Sequence, residues 1–242
     1  MQKPTLHTCI SPALLHQYQL SNSIVVIIDV FRATSTIAAV LKNGAKCIIP
    51  VDEVAKAIDI SKKIRAIAAG ERDGQIAEGL QHGNSPLEYS KEFIGGKTLV
   101  LTTTNGTKLL QMALDNNADT IITGSFPNLS SVCNYLLAQN KNVVLGCAGW
   151  KDRFNIEDTL FAGAVINRIK ENFTIHCDSS LMADILYEQN KHDLMGFAPK
   201  LTHYHRLVDR FGLIDDIRFC LTPDSADVLV VYEDGKLLSK FS

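Results

Sequence analysis

Short β-branched runs alternate with longer segments of helical period along this chain, and that alternation constrains its fold more than any other feature. An apolar run without polar alternation is a strand buried on both faces, and strands separated by helices pair in parallel. Ser23–Val30 reads as such a strand, followed by a helix over Ala33–Lys42 that stops at Asn43-Gly44. Cys47–Val51 is a second strand, and Asp52–Ala69, with Ala, Lys and Ile at three- and four-residue spacing, predicts a helix. Thr98–Thr103, Thr120–Thr123 and Asn142–Cys147 repeat the strand pattern, with helices expected over Gly106–Leu114, Pro127–Ala138 and Glu157–Lys170. Two further helices are expected near Asp178–Gln189 and His203–Phe211. Ala226–Lys240 suggests a terminal hairpin turning at Glu233-Asp234-Gly235-Lys236. Between Glu71 and Gly96 six glycines and prolines punctuate a polar stretch too long for an ordinary connection, which reads as a site or a lid. The expected class is α/β with a largely parallel or mixed sheet and a C-terminal β-hairpin, in one unit over residues 1–242.

Composition narrows the function. Lys and Arg number 24 against 26 Asp and Glu, a net charge of −2, so no polyanion-binding surface and no nucleic acid partner are expected. The longest apolar stretch, Ile24–Ile28, is far short of the roughly 20 residues of a membrane span. Six scattered cysteines without a C-x-x-C pair or a signal peptide lead us to expect a reduced, cytoplasmic protein that spans no membrane.

Ligands of parallel α/β sheets bind beyond the carboxyl ends of strands, so the junctions after the apolar runs carry the chemistry. Four stand out. In the first, Asp29 ends a buried strand and Arg32-Ala33-Thr34-Ser35-Thr36 opens a helix. An acid there is costly unless paired or bound to a cation, and Arg32 could pair it, with Thr34 or Ser35 as helix cap. Acid, guanidinium and helix N-terminus together suit an anion bound through a cation. In the second, Thr102-Thr103-Thr104-Asn105-Gly106-Thr107-Lys108 lacks P-loop spacing, yet it offers hydroxyls and free backbone N–H groups to a phosphate. A strand of threonines ending in an ordinary Asn-Gly turn explains it equally well.

In the third, Cys147 and Arg153 loosely fit the C-x-x-x-x-x-R loop of cysteine phosphatases, although a free Cys ending a buried strand is usually a small core residue. Glu157 and Asp158 are either helix-start charges or, with Asp29, oxygen ligands for a hard cation. The fourth, from Gly70-Glu71-Arg72-Asp73-Gly74 to His82-Gly83-Asn84-Ser85-Pro86, sets acids, an Arg and a His-Gly-Asn turn in a glycine-rich segment that could equally be a solvated loop. His203 and His205, two residues apart, do not share a helix face and are left out.

Asp29-Val30-Phe31-Arg32-Ala33-Thr34-Ser35-Thr36, Ala69-Gly70-Glu71-Arg72, Gly83-Asn84-Ser85-Pro86-Leu87-Glu88, Thr102 to Thr107 and Cys147-Ala148-Gly149 with Glu157-Asp158 form five collinear blocks. Together they resemble the 2-phosphosulfolactate phosphatase family, from about Ser23 to the Asp216–Leu221 segment. The resemblance implies a three-layer α/β/α fold and a magnesium-dependent hydrolysis of (R)-2-phospho-3-sulfolactate to 3-sulfolactate and phosphate, a step of coenzyme M biosynthesis. Departures at Phe31, Ser35 and Trp150-Lys151-Asp152 touch pocket shape more than the charged set.

On that reading Asp29, Arg32, Glu71 and Asn105 form the catalytic set, and Asp29, Glu157 and Asp158 hold Mg2+. The substrate-binding set is Arg32, Arg72, Asn84, Thr103, Thr104, Asn105, Gly106, Cys147 and Arg153, with Arg72 and Arg153 meeting the sulfonate and carboxylate. The nucleophile is either a water held by the metal or Asp29 itself. The partner is a small phosphorylated acid, and a homodimer is the assembly left to test. Two other readings stay open: a non-catalytic organophosphate-binding protein, and a cysteine phosphatase using Cys147 and Arg153.

Overall fold

The computed structural model describes residues 3–240. The alternation seen in the sequence becomes a mixed sheet flanked by helices. After β1 (Leu6–Cys9) come β2 (Ser23–Ile28), α1 (Ala33–Lys42), β3 (Cys47–Val51), α2 (Val54–Ile64), β4 (Ile67–Arg72) and the short β5 (Gln75–Ile76). Then follow α3 (Lys91–Ile94), β6 (Thr98–Thr102), α4 (Gly106–Asp115), β7 (Thr120–Gly124), α5 (Leu129–Gln139), β8 (Asn142–Cys147) and α6 (Ile156–Ile169). The last part holds α7 (Asp178–Asn190), α8 (Leu194–Phe197), α9 (Thr202–Phe211), α10 (Ile214–Cys220), β9 (Leu229–Glu233) and β10 (Lys236–Lys240).

The strands are ordered β1-β8-β2-β7-β9-β10-β3-β6-β4-β5. β1, β8, β2 and β7 pair in parallel, as do β3, β6 and β4. The expected C-terminal hairpin, β9–β10, is inserted between the two blocks, antiparallel to β7 on one side and to β3 on the other. The last strands of the chain therefore join the sheet into one.

Alternation along β2 shows why it must be apolar throughout. Ile24, Val26 and Ile28 enter a core with α5, α6 and the later helices, while Val25 and Ile27 enter a second core with α4. Helices thus cover both faces of this block, the three-layer arrangement the resemblance implied. A third core joins α1 to β3 and β6. α1 is buried from Ala33 to Leu41, which its small residues allow.

Three local expectations are corrected. The Asp52–Ala69 helix ends at Ile64, where Arg65 turns left-handed (φ +54°), and Ile67–Arg72 becomes a strand because its place is beside β6. The segment after Glu71 is not one long loop. Asp73 and Gly74, both with positive φ, reverse the chain into β5, and Asp-Gly is the pair such hairpin turns favour. Thr34 and Ser35 do not cap α1: their hydroxyls donate to the carbonyls of Asp29 and Val30, bracing the turn after β2.

Candidate active site

The carboxyl ends of both parallel blocks and the N-terminal part of α9 meet around one pocket. It is lined by Asp29 and Arg32 after β2, Glu71, Asp73 and Gly74 at the end of β4, and Thr104 and Asn105 after β6. Trp150 after β8, Asn84, and His203, Arg206 and Leu207 of α9 complete it. The structure therefore brings together Asp29, Arg32, Glu71, Asn84, Thr104 and Asn105 of the expected set.

Asp29 sits against the start of α4. A Cβ on Gly106 would lie 3.2 Å from Asp29 Oδ2, so glycine lets the carboxylate approach the helix N-terminus, where negative charge is favoured. Asp29 Oδ1 accepts from Ala33 N at 3.4 Å, and no donor among the described residues bonds Oδ2. Burial pushes the Asp29 carboxyl up to about 6; His203 offsets this in part, while Glu71 and Glu157 add to it.

Glu71 ties the β4 and β6 junctions together. Its Oε1 accepts from Thr104 N and Oγ1, each at 2.8 Å, and its Oε2 accepts from Gly74 N at 3.0 Å. The Asp29–Arg32 bridge, the purely structural alternative for this junction, does not form. The Arg32 guanidinium donates to Asp216 of α10 and to Gly74 O at 3.2 Å, and Asp216 also accepts from Ser85 Oγ at 2.8 Å. That anchor fixes Arg32 at the pocket with further N–H groups to spare.

The carboxylates expected to hold the metal divide into two kinds. Asp158 is fully buried, and its two oxygens accept from Val30 N and Gly149 N, both at 2.9 Å. Burial, with Glu157 and Asp29 nearby, pushes its carboxyl well up. Its bonds pin the β2 and β8 junctions, and it does not line the pocket. Glu157 Oε1 accepts from His203 Nδ1 at 2.6 Å, and Glu157 does not line the pocket. The Asp29–Glu157–Asp158 trio is therefore not a ligand cage, and no three His, Cys, Asp or Glu side chains converge as one among the described residues. The carboxylates that do line the pocket are Asp29, Glu71 and Asp73. Magnesium needs only one or two carboxylates when a substrate phosphate and waters complete its shell, so this set fits it.

Four expected binding residues lie elsewhere. Arg72 donates to Glu71 O, Asp52 O and Thr102 Oγ1 at 2.7–3.0 Å, and braces β4 against β6. Arg153 is exposed, joined to Trp150 through the backbone only. Thr103 is buried beneath the α4 turn, its hydroxyl accepting from Thr107 N. Cys147 is a core residue with its thiol pushed well up by burial, so the phosphatase-type Cys147–Arg153 loop does not form. The other residues that reasoning from the sequence missed are His203, Arg206 and Asp216. His203 shares no helix face with His205, but it lines the pocket alone and bonds Glu157. For Arg206 and Asp216 the sequence carries no signal, since Arg206 meets Trp150 across more than fifty residues and Asp216 meets Arg32 and Ser85 across more than a hundred.

The model of the family described as 2-phosphosulpholactate phosphatase matches residues 9–235. A protein of Caldanaerobacter subterraneus subsp. tengcongensis is 39% identical over 238 residues, covering 91% of this chain and 96% of its own. One of Thermotoga maritima is 40% identical over 215 residues (89% and 91%), and one of Clostridium novyi is 36% identical over 231 residues (94% and 97%). All three are named probable 2-phosphosulfolactate phosphatase.

Proposed function

The chain belongs to the 2-phosphosulpholactate phosphatase family, and on that premise we propose that it hydrolyses (R)-2-phospho-3-sulfolactate to 3-sulfolactate and phosphate with the help of magnesium. The observation that carries the reading is the pocket itself, where an acid with a bare oxygen, an anchored guanidinium and a helix N-terminus face one space.

The reaction breaks the ester P–O bond, forms a P–O bond to the attacking oxygen, and returns a proton to the departing alkoxide. Arg32 and the backbone N–H groups of Asn105 and Gly106 would bind the non-bridging oxygens, Arg32 positioned by Asp216 and the turn by the bond from Thr104 N to Glu71. Asp29 would either attack phosphorus or take the proton of an attacking water, and its raised carboxyl suits the second role. Magnesium, when bound, would be held by Asp29 with Glu71 or Asp73 and would neutralise charge on the phosphoryl group.

The test is phosphate release from a panel of phosphorylated two- and three-carbon acids, with and without magnesium. We expect turnover that is highest on phosphosulfolactate and abolished by chelator. Absence of release from every ester, with the protein folded and magnesium present, would leave a binding protein. Cys147 is buried outside the pocket, which argues against a thiolate phosphatase.

A further inference from the structure

Two guanidiniums line the pocket, and they are held in opposite ways. Arg32 is committed to Asp216 and Gly74. Arg206, on α9, sits over the Trp150 ring, its Cζ 3.7 Å from the ring centroid. Its Nη1 is buried and meets no hydrogen-bond partner among the described residues. The acids whose charge reaches Arg206 are Glu157, bonded to His203, and Asp73, which pairs with Lys151 Nζ at 3.4 Å. A buried N–H of a charged group left without an acceptor is costly, and proteins keep such a group where a ligand supplies the acceptor. An aromatic face lets the guanidinium be partly desolvated while its edge stays available to an anion.

We propose that Arg206, stacked on Trp150, is the specificity residue that binds the sulfonate of the substrate, the acid group furthest from phosphorus. This rests on the phosphatase reading for the position of the phosphoryl group at Arg32 and the Asn105-Gly106 turn. Arg206 takes the sulfonate-binding role that the family resemblance implied for Arg72 and Arg153. Guanidinium matches a sulfonate because its planar fork bonds two oxygens at once, and stacking fixes that fork before the ligand arrives. Asn84, whose buried Oδ1 is likewise without a partner, lines the same pocket and adds a second uncommitted polar side chain.

Trp150 is the only tryptophan of the chain, so its fluorescence reports on this spot. We would titrate 3-sulfolactate and lactate into the wild-type protein, following fluorescence and heat, and repeat this with Arg206→Gln and Arg206→Lys. Expected is a fluorescence change with sulfolactate, affinity weakened tenfold or more in Arg206→Gln, partial rescue in Arg206→Lys, and little change for lactate. Thermal melting of both variants checks that they fold, and a variant that does not fold hands the decision to the other. No sulfolactate binding by the wild-type protein would overturn the proposal, as would equal losses for both acids or none for either. Turnover separates the two readings. Arg206-dependent sulfolactate binding without phosphate release removes the phosphatase and keeps the sulfonate site, while phosphate release with kcat/KM unchanged in Arg206→Gln does the reverse.

Discussion

The strand-end wall of the pocket is tied together largely by backbone donors, whereas the wall contributed by α9, with α10 behind Arg32, is tied by bonds between side chains. Asp29, Glu71 and Asp158 all receive N–H groups from the turns they join. By contrast Asp216 reaches Arg32 and Ser85, and His203 reaches Glu157, side chain to side chain. Backbone donors stay in place when a neighbouring side chain changes. A buried ion pair does not, because removing one partner strands a charge in a poorly solvated place. The strand-end wall should therefore yield losses of rate without losses of fold, and the helical wall losses of both.

The largest effect is expected at Asp29. Asp29→Asn keeps size and loses the charge, and phosphate release should fall about 10²–10⁴-fold, the range for a positioned acid or base. The melting temperature should not fall, since a buried, crowded carboxylate becomes neutral. A rate near wild type would remove Asp29 from the chemistry, and a collapse of the fold would mean that the strand-end wall is no more robust than the other.

Next comes Asp216. Arg32 and Asp216 are both under a tenth exposed, so Asp216→Ala should cost about 3–5 kcal/mol of stability by leaving Arg32 unpaired. Denaturant unfolding measures it. Asp216→Asn, which keeps an acceptor, should lose less stability yet still lower kcat, because Arg32 is then less firmly held. Equal stability of wild type and Asp216→Ala would show the pair to be dispensable, and the contrast between the walls would disappear.

Legibility in the sequence followed the same division. β2 and β8 declared themselves because strands buried on both faces must be apolar throughout, and β3 and β6 through short apolar runs that feed the third core. Asp29 and Thr104 declared themselves because they stand directly after apolar strands, whereas Glu71 is legible through the Ala69-Gly70-Glu71-Arg72 block, since its strand β4 reads locally as the end of a helix. β1 went unread: four residues with His7 and Thr8 among them give too little pattern, and its place depends on pairing with β8. The direction of β9 and β10, and the partners of Arg32 and His203, depend on contacts between distant segments that no local spacing encodes. Asp158 shows a subtler failure, since acid at a strand junction was read as metal chemistry when it holds two turns together.

A smaller effect is expected beneath the strand-end wall. Cys147→Ala should keep phosphate release within about twofold and cost on the order of 1 kcal/mol, that of a methyl-sized cavity. Loss of most of the rate in a folded variant would restore the thiol to the chemistry and make the floor of this wall reactive as well as structural.

The smallest effect is expected at Arg153, which carries the same charge as Arg206 but is held by neither wall. It lies on the solvent side of the turn after β8, exposed, with a backbone pairing to Trp150 that any residue could make. Surface charges of this kind change stability by less than about 0.5 kcal/mol and have little hold on a buried ligand. Arg153→Ala should therefore leave kcat/KM for phosphosulfolactate and its phospholactate counterpart nearly unchanged at physiological salt. A loss on both substrates at low salt that disappears as salt is raised would mark general attraction of anions toward the pocket. A loss on the sulfonated substrate alone, persisting at high salt, would mean that the turn closes over the ligand and that Arg153 joins Arg206 on a third, mobile wall.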